Sequence, residues 1–465
     1  MNARKLKTAP IALFVAALMC GAASDQPIVV SPGGHFLQYQ DGRPFFWLAD
    51  TAWLMFDKLT DAEIEGYLED RRGKGFTVVQ VMLLRGGDEM DPDGNPALLG
   101  GDPGKPDASH GYWDRIDRVV GVAGNKGIHV ALVCAWGSVV KSGRLNMSNA
   151  GAYAAFLGHR FRDRPNIFWI IGGDIRGDQN EGVWKLMGRT LKAADPSHLI
   201  TFHPFGRTQS SMWFHDEPWL DFNMFQSGHQ RYDQDTDSPH KFGEDNWRYA
   251  AADYARQPTK PVIDGEPSYE GIPQGLHDTS QPYWTDADCR RYAYWSVFAG
   301  AAGHTYGDNA VMQFYRPEKD KPSYGAKNSW AEAIHDPGSA EMLFLKRLML
   351  SRPYLERVPD QNLIAGPNGT GHDYAIATRG TSYAMAYTWK GKQIRIRLGV
   401  ITGAKVRASW YSPRDGSVQG AGEFANRADR SFTPPGKPGD GNDWVLVLDD
   451  SSKKFALPGK AIIAE

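Results

Sequence analysis

The sequence predicts an α/β fold, a (β/α)8 TIM barrel followed by a small all-β sandwich. Apolar or β-branched runs recur eight times between residues 45 and 310, and amphipathic segments with helix-start signals separate them. Beyond about residue 355 the pattern changes to short alternating runs between Gly, Pro and Asp turns. Near-continuous apolar strands that alternate with helices indicate a parallel sheet covered by helices, and eight such units suit a closed barrel.

The eight runs predicted as barrel strands are residues 45–49, 77–83, 129–136, 166–171, 199–203, 221–225, 261–264 and 303–306. Between the first two runs, Thr60 and Glu63 form a capping-box pattern, and Gly73 or Gly75 would end the helix that follows. Further helices are predicted at 113–127, 150–162, 183–194, 245–256 and 286–299. A doubly wound open sheet is the alternative fold, but no Gly-rich phosphate loop follows the first strand.

The C-terminal region reads as an antiparallel β-sandwich. Its predicted strands are residues 374–378, 382–389, 394–398, 405–411 and 444–448. Pro353 and the Pro- and Gly-bearing stretch after it mark the junction. We therefore predict a barrel over residues 24–354 and a β-sandwich domain over residues 355–465.

The N-terminus is typical of a secretory signal peptide, predicted as residues 1–23. Basic residues precede a short apolar run at 11–19, and small residues follow it. The run is too short to span a bilayer, and a buried N-terminal helix is the alternative. Cys20 would suit a lipoprotein, but Met19 before it fits the lipidation pattern poorly. We therefore expect an exported protein, periplasmic or extracellular, with no membrane span.

Composition excludes several classes of partner. The formal net charge is −2, which indicates no electrostatic surface for nucleic acid. The chain has 15 Trp, 19 Tyr and 21 Phe, an aromatic content that modestly favours a sugar ligand. Only three cysteines are present, without disulfide or metal-ligand spacing, so no cofactor and no metal are expected.

Two carboxylates, Asp174 and Glu266, are the predicted catalytic residues. In barrels of this type the reactive groups lie at the C-terminal ends of the strands, and these two follow the fourth and seventh strands. Glycosidic cleavage needs one carboxyl to protonate the leaving oxygen and another to attack the anomeric carbon or activate water. By analogy with retaining barrel glycosidases, Asp174 is the acid/base and Glu266 the nucleophile. Asp178, Asp264 and Glu270 are the alternatives, and each carboxylate could instead be a loop cap or an ion-pair member.

Other polar and aromatic residues at the strand ends are predicted to bind the sugar. They are Asp50, Trp53, Arg85, Trp136, His203, Gln226, Tyr269 and His304. A metal-binding role for His203 or His304 is the alternative, but the chain lacks the HxH pattern and the His–carboxylate cluster of metallohydrolase barrels. No Gly-x-Ser-x-Gly motif supports serine catalysis.

Three barrel segments, GRPFFWLADTAW, PNIFWIIGGDIRGD and KPVIDGEPSYEGIP, resemble the apiosidase-like glycosidases of glycoside hydrolase family 140. The tail, SYAMAYTWKGKQIRIRL through ASWYSPRDG, is similar to the β domain, labelled collagen-binding, that accompanies such barrels. The resemblance implies a β-apiosidase acting on plant material, with its catalytic pair at Asp174 and Glu266. One departure is Gly173, which stands where many retaining barrels have Asn before the acid/base.

The resulting hypothesis is an exported retaining β-apiosidase whose partner is a plant polysaccharide or glycoside. A related specificity, such as arabinofuranosidase, is the first alternative because both sugars are five-membered rings. A non-catalytic carbohydrate- or matrix-binding protein, carried by the β domain, is the second. The linkage, the stereochemical outcome and the oligomeric state are left open by the sequence.

Overall fold

The computed structural model describes residues 26–91, 93–109, 111–235 and 241–460. The predicted signal peptide and Cys20 lie outside the described residues. The described chain begins with a small antiparallel sheet of three strands, β1 (Ile28–Val30), β2 (Leu37–Tyr39) and β3 (Pro44–Phe45). This sheet precedes the first barrel strand.

The predicted barrel is confirmed. In the described part of the chain its parallel strands are β4 (Trp47–Thr51), β5 (Val78–Met82), β6 (His129–Val133), β7 (Ile167–Ile175), β8 (Ile200–Pro204), β10 (Asn223–Gln226), β11 (Val262–Asp264) and β12 (Gly303–Tyr306). The short strand β9 (Thr208–Gln209) pairs antiparallel with β10. A continuous ladder runs from β8 through β4 to β10. The Asp221 N–H donates to the Ile200 carbonyl at 2.9 Å and links β8 to the start of β10, which nearly closes the barrel.

Helices connect these strands on the outside. They are α1 (Met55–Lys58), α2 (Asp61–Gly73), α3 (Tyr112–Asn125), α4 (Gly137–Lys141), α5 (Ala150–Phe161), α6 (Glu181–Ala194), α7 (Ser211–Phe214), α8 (Trp247–Tyr254), α9 (Asp286–Phe298), α10 (Asn309–Met312), α11 (Trp330–Ala333) and α12 (Pro337–Leu350). The predicted capping box is present at α2: the Glu63 N–H donates to the Thr60 side chain, and the Thr60 N–H donates to the Glu63 carboxylate. Thr285 and Asp288 form a second box at α9.

Side chains of each barrel strand alternate between the interior and the helices. Trp47 faces the interior, where its ring contacts Phe168 at a centroid distance of 4.9 Å. Leu48 therefore faces outward. Residues in register on parallel strands share a face, and His304 is paired with Leu48 and with Asp264. His304 and Asp264 consequently belong to the outward row.

The C-terminal β-sandwich is also confirmed. One sheet has the order β13 (Val358–Pro359), β14 (Ile376–Arg379), β15 (Tyr383–Thr388), β20 (Trp444–Asp450), β17 (Lys405–Tyr411) and β18 (Val418–Ala425). The second sheet pairs β16 (Ile394–Arg397) with β19 (Asp429–Phe432). The sequence did not indicate β18 or β19, because β18 is a largely exposed strand that contains two glycines and lacks alternation.

The larger sheet of the sandwich lies between two apolar layers. On one face Ala384, Ala386 and Leu446 pack in a cluster with the two-stranded sheet. On the other face Tyr387, with its neighbours Met385, Val445 and Val447, belongs to the same buried cluster as residues of the barrel. Tyr387 stacks on Tyr294 of α9, with ring centroids 4.8 Å apart and an interplanar angle of 16°. The barrel and the β domain therefore share one hydrophobic core.

Buried ion pairs also join the two parts. The guanidinium of Arg290, on α9, lies 3.0 Å from the Asp443 carboxylate. Arg352, which follows α12, donates to both Asp449 oxygens at 2.7 and 2.8 Å, and both side chains are fully or almost fully buried. The loss of one partner of such a buried pair leaves an uncompensated charge in the interior.

The two described cysteines, Cys134 and Cys289, are buried and free, as expected of small core residues. None of the helices in the described residues is both long and apolar enough to cross a membrane.

Candidate active site

Glu266 lies just beyond the end of β11, at the C-terminal mouth of the barrel, with 8% of its surface exposed. Two histidines face its carboxylate. His203 Nε2 lies 3.2 Å from Oε2, and His229 Nε2 lies 3.2 Å from Oε1. His203 comes from β8 and His229 from the loop after β10. The carboxylate is thus held by two different strand ends.

The hydrogen bonds of His203 determine which of its nitrogens carries the proton. Its Nδ1 accepts from the backbone N–H of Asp174 at 3.4 Å. In a neutral imidazole the other nitrogen must then be the N–H. His203 Nε2 therefore carries the proton and lies 3.2 Å from Glu266 Oε2, without the alignment of a hydrogen bond, so the same ring lies between the backbone of Asp174 and the carboxylate of Glu266.

Asp174 is directed into the mouth of the barrel by an irregularity in β7. The register between β7 and β8 shifts between Gly172 and Ile175, and Asp174 itself has a φ of 50°. Such a bulge redirects a side chain at the rim of a barrel. Gly173 has a φ of 128°, and a Cβ there would collide with the Trp136 ring. This contact explains why Gly, rather than Asn, precedes Asp174.

The pKa values of the two carboxyls are shifted in opposite directions. Burial and the neighbouring negative charge of Glu266 raise the pKa of Asp174 above its ordinary value. Burial alone would raise the pKa of Glu266, but His203 and His229 beside its two oxygens outweigh burial and lower the pKa to about 2. At a pH above the pKa of Glu266 and below the pKa of Asp174, the site holds one carboxylate and one protonated carboxyl. Acid/base catalysis by the pair requires this combination.

Aromatic residues form a wall beside this pair. Trp53 packs against Trp136 with ring centroids 5.2 Å apart and meets the His203 ring edge-on at 5.5 Å. Trp136 is half-buried and also contacts His203, at 5.6 Å. Tyr269 meets the His229 ring edge-on at 4.9 Å and is almost fully buried. The structure thus brings four residues named from the sequence, Trp53, Trp136, His203 and Tyr269, around Glu266.

Arg85 and Gln226 lie at the periphery of this group. Arg85 is an exposed rim residue whose guanidinium is 3.9 Å from Asp57. Gln226, at the end of β10, is buried beneath the turn at Gly206 and Arg207, and its carbonyl accepts from the Arg207 N–H. Arg85 is open to solvent, whereas Gln226 supports the turn after β8.

Two residues predicted to bind sugar do not face the cleft. Asp50 is fully buried on the outside of the barrel, where Tyr67 and Arg71 of α2 bind its carboxylate at 2.5 and 2.6 Å. His304, in the outward row of β12, contacts Ser296 of α9 at 3.0 Å, and burial lowers its pKa to about 3. The predictions for Asp50 and His304 were wrong because both side chains point to the helices.

The three alternative carboxylates also lie apart from the pair. Asp264 faces outward, where Ser227 and Asn246 donate to it at 2.9 Å. Glu270 accepts from the Tyr306 hydroxyl at 2.6 Å and from the Gly338 N–H at 3.0 Å, beside the start of α12. Asp178 is an exposed ion-pair partner of Arg176.

Sequence reasoning left three residues of the site without a role: His229, Tyr324 and Lys141. His229 lies in the loop after β10, three residues beyond Gln226. Burial and the negative charges of Glu266 and Asp174 raise the pKa of Tyr324. The Lys141 ammonium, on α4, lies 3.4 Å from the Asp174 carbonyl. Lys141 ends the short helix α4 and Tyr324 lies in the segment between α10 and α11, so the pattern of strand ends did not indicate either residue.

No cluster of three or more His, Cys, Asp or Glu residues suited to a metal ion occurs in the described ranges. The mouth of the barrel holds two carboxyl groups, Asp174 and Glu266, beside aromatic side chains. Two carboxyls at the mouth of a (β/α)8 barrel are the arrangement that glycosidic cleavage by a glycoside hydrolase needs.

Comparison with known proteins supports this class. A solved structure named "Glycoside hydrolase" is 46% identical, has a TM-score of 0.89, and aligns over 93% of this chain and 99% of its own. A structure titled as a glycoside hydrolase family 5 protein from Bacteroides vulgatus ATCC 8482 is 44% identical, has a TM-score of 0.90, and aligns over 95% and 97%. No match was found among curated proteins.

Residues 31–356 match the family described as "Apiosidase-like, catalytic domain", and residues 358–449 match the "Putative collagen-binding domain of a collagenase". The chain belongs to the apiosidase-like family. The resemblance drawn from the three barrel segments and from the tail is thereby confirmed, while the family number 140 stays a prediction.

Proposed function

We propose that the protein is an exported, retaining β-apiosidase that releases apiose from plant polysaccharides or glycosides. Asp174 is the acid/base and Glu266 the nucleophile. The observation that carries this proposal is geometric: His203 lies 3.2 Å from the Glu266 carboxylate and accepts from the backbone N–H of Asp174, which brings the two residues together at one strand end. Family membership supplies the choice of apiose.

In the first step Asp174 protonates the glycosidic oxygen while Glu266 attacks the anomeric carbon, so that the leaving group departs as an alcohol. In the second step ionised Asp174 takes a proton from water, which attacks the same carbon and frees Glu266. Formation of the glycosyl-enzyme removes the negative charge of Glu266, which relieves the repulsion that raises the pKa of Asp174. The acid can therefore serve as the base of the second step.

The environment of Glu266 favours retention over inversion. An inverting enzyme holds a water molecule between its base and the sugar. Glu266 is nearly buried, with both oxygens 3.2 Å from histidine nitrogens. His229 hydrogen-bonds one carboxylate oxygen and His203 lies beside the other, and a carboxylate whose ionised form is stabilised in this way suits a nucleophile aimed directly at carbon.

The specificity is tested by release assays on matched β-apiosyl and α-arabinofuranosyl glycosides with the same leaving group. We expect kcat/KM to favour the apiosyl compound, with proton NMR showing that the first-formed sugar keeps the anomeric configuration of the substrate. A preference for arabinofuranosides would establish the related specificity instead. Inversion at the anomeric carbon would contradict the role proposed for Glu266.

The pH dependence tests the assignment of Asp174. Activity requires ionised Glu266 and protonated Asp174, so kcat/KM should fall on the alkaline side as pH rises through the raised pKa of Asp174. The low pKa of Glu266, about 2, should leave the acid side nearly flat down to pH values that unfold the protein. Asp174→Asn should remove the alkaline decline and lower kcat/KM by about 10²- to 10⁴-fold on unactivated glycosides.

A substrate that needs no protonation provides the control for this variant. Apiosyl fluoride has a leaving group that departs without an acid, so Asp174→Asn should form the glycosyl-enzyme from it at close to the wild-type rate. An equal loss on the fluoride and on the glycosides would show that Asp174 is not the acid.

A further inference from the structure

Phe205 is an exposed aromatic ring at the mouth of the barrel. Its exposed fraction is 40%, and among the described residues the other large hydrophobic side chains of such exposure are aliphatic, Met or Leu. Contact with an apolar surface removes the phenyl ring from water, and this transfer lowers the free energy. The ring is therefore available for a ligand.

Hydrogen bonds fix the backbone turn that carries Phe205. Phe205 follows Pro204, the last residue of β8. The Thr208 N–H donates to the Phe205 carbonyl at 3.1 Å, and the Thr208 hydroxyl donates to the same oxygen. Thr208 in turn pairs with Gln226 of β10. The turn is anchored to the barrel, so Phe205 is presented at a defined place.

That place is beside the acid. The Lys141 ammonium is 3.4 Å from the Asp174 carbonyl and 6.0 Å from the centre of the Phe205 ring. Lys141 thus lies between Asp174 and Phe205, and it has no ion-pair partner in the part of the chain that the structure describes. His203, which contacts Glu266, is two residues before Phe205 on the same strand end.

Resting on the proposed function, we infer that Phe205 is a stacking platform for the leaving-group sugar, the residue whose glycosidic oxygen Asp174 protonates. The acid contacts the leaving group by necessity, so the surface next to Asp174 faces that part of the substrate. A pyranose ring offers an apolar C–H face to the phenyl ring and hydroxyl oxygens at its edge. The Lys141 ammonium is placed to donate to those oxygens.

The test compares two substrates that share a glycosyl group and differ in leaving group. β-Apiosyl-glucose has a leaving sugar that reaches Phe205, and apiosyl fluoride does not. Phe205→Ala should lower kcat/KM about 5- to 30-fold on β-apiosyl-glucose, the loss expected when a partly covered aromatic face is removed. The same variant should stay within about 2-fold of wild type on apiosyl fluoride, since only contacts to the leaving group are lost. Phe205→Trp should restore most of the loss.

Leu99→Ala is the matched control, because Leu99 is an exposed apolar rim residue with an exposed fraction of 52%. It should behave as wild type on both substrates. Equal losses of Phe205→Ala on the two substrates would show a general structural effect, and no loss on either would show that the ring does not contact substrate. Both results overturn the platform.

A binding experiment separates this inference from the proposed function. In the Glu266→Gln background, calorimetry with β-apiosyl-glucose should show weaker binding when Phe205→Ala is added. If the wild type prefers arabinofuranosyl substrates, the proposed specificity fails, and the same comparison with arabinofuranosyl-glucose and its fluoride still decides the role of Phe205. If Phe205→Ala leaves the affinity for the disaccharide that the wild type prefers unchanged, the platform is overturned.

Discussion

Glu266→Gln should lower glycosidase activity by about 10⁴-fold or more while leaving the fold intact. An amide cannot form the glycosyl-enzyme, and loss of a nucleophile costs a rate factor of this order in other hydrolases. The substituted side chain is isosteric and keeps one oxygen for His203 or His229. Initial rates on an apiosyl glycoside measure the effect, and circular dichroism with thermal unfolding checks the fold.

Asp178→Asn is the matched control for this prediction, because Asp178 is an exposed carboxylate four residues after Asp174 whose partner is Arg176. It should retain wild-type activity. A second arm uses Glu266→Gly with added azide, which should yield a glycosyl azide of inverted configuration, as expected when an external nucleophile replaces Glu266. Residual activity of Glu266→Gln above a few per cent of wild type would contradict the assignment.

Truncation after Arg357 should leave a barrel that is insoluble or that unfolds more than 10 °C below the full chain. The deletion uncovers Tyr294 of α9, together with the barrel residues that pack on Tyr387, Met385, Val445 and Val447. Each buried side chain of this size contributes about 1.5–3 kcal/mol, so several together approach the total stability of a domain, about 5–15 kcal/mol. Arg290 would also lose Asp443. Soluble yield and thermal unfolding measure the effect.

Point variants provide the control for the truncation. Tyr387→Ala, at the shared core, should lower the midpoint of thermal unfolding in the full chain by several degrees, since such truncations cost about 3–5 kcal/mol. Arg395 lies on the two-stranded sheet and its side chain is 59% exposed. Arg395→Ala should therefore change the midpoint of thermal unfolding little. A truncated barrel with the stability of the full chain would show that the β domain is an independent module.

The shared core bears on the hypothesis of a non-catalytic binding protein carried by the β domain. The isolated domain would expose the face that packs on the barrel, and that apolar face would bind many partners without specificity. Binding by the β domain is therefore meaningful only in the full chain.

Much of the fold was predictable because its signals are local. Each barrel strand is a short apolar run, and the capping box at Thr60 and Glu63 lies within four residues. Strand β18 was missed because it is an exposed edge strand, so nothing in its sequence requires alternation. Its position depends on pairing with β17, which only the assembled sheet supplies.

The prediction of the site was less complete, for a reason specific to barrels. Strands of a parallel barrel are buried on both faces, so their sequences do not show which side chains point inward. Asp50 follows Ala49, an interior neighbour of Trp47, yet its own side chain meets Arg71 outside. Asp264 and Glu266 are two residues apart. Asp264 is the last residue of β11 and Glu266 lies beyond the strand, so their side chains meet different partners.

The sequence by itself determined the order of strands and helices, the two-part organisation and the strand ends at which Asp174 and Glu266 lie. These properties follow from periodicity and position along the chain. The tertiary structure decided the contact of His203 and His229 with Glu266, the bulge that directs Asp174, and the outward placement of Asp50 and His304. It also decided the joint core of barrel and β domain. These depend on register and on contacts between residues far apart in sequence, where a shift of one residue reverses the face of every side chain.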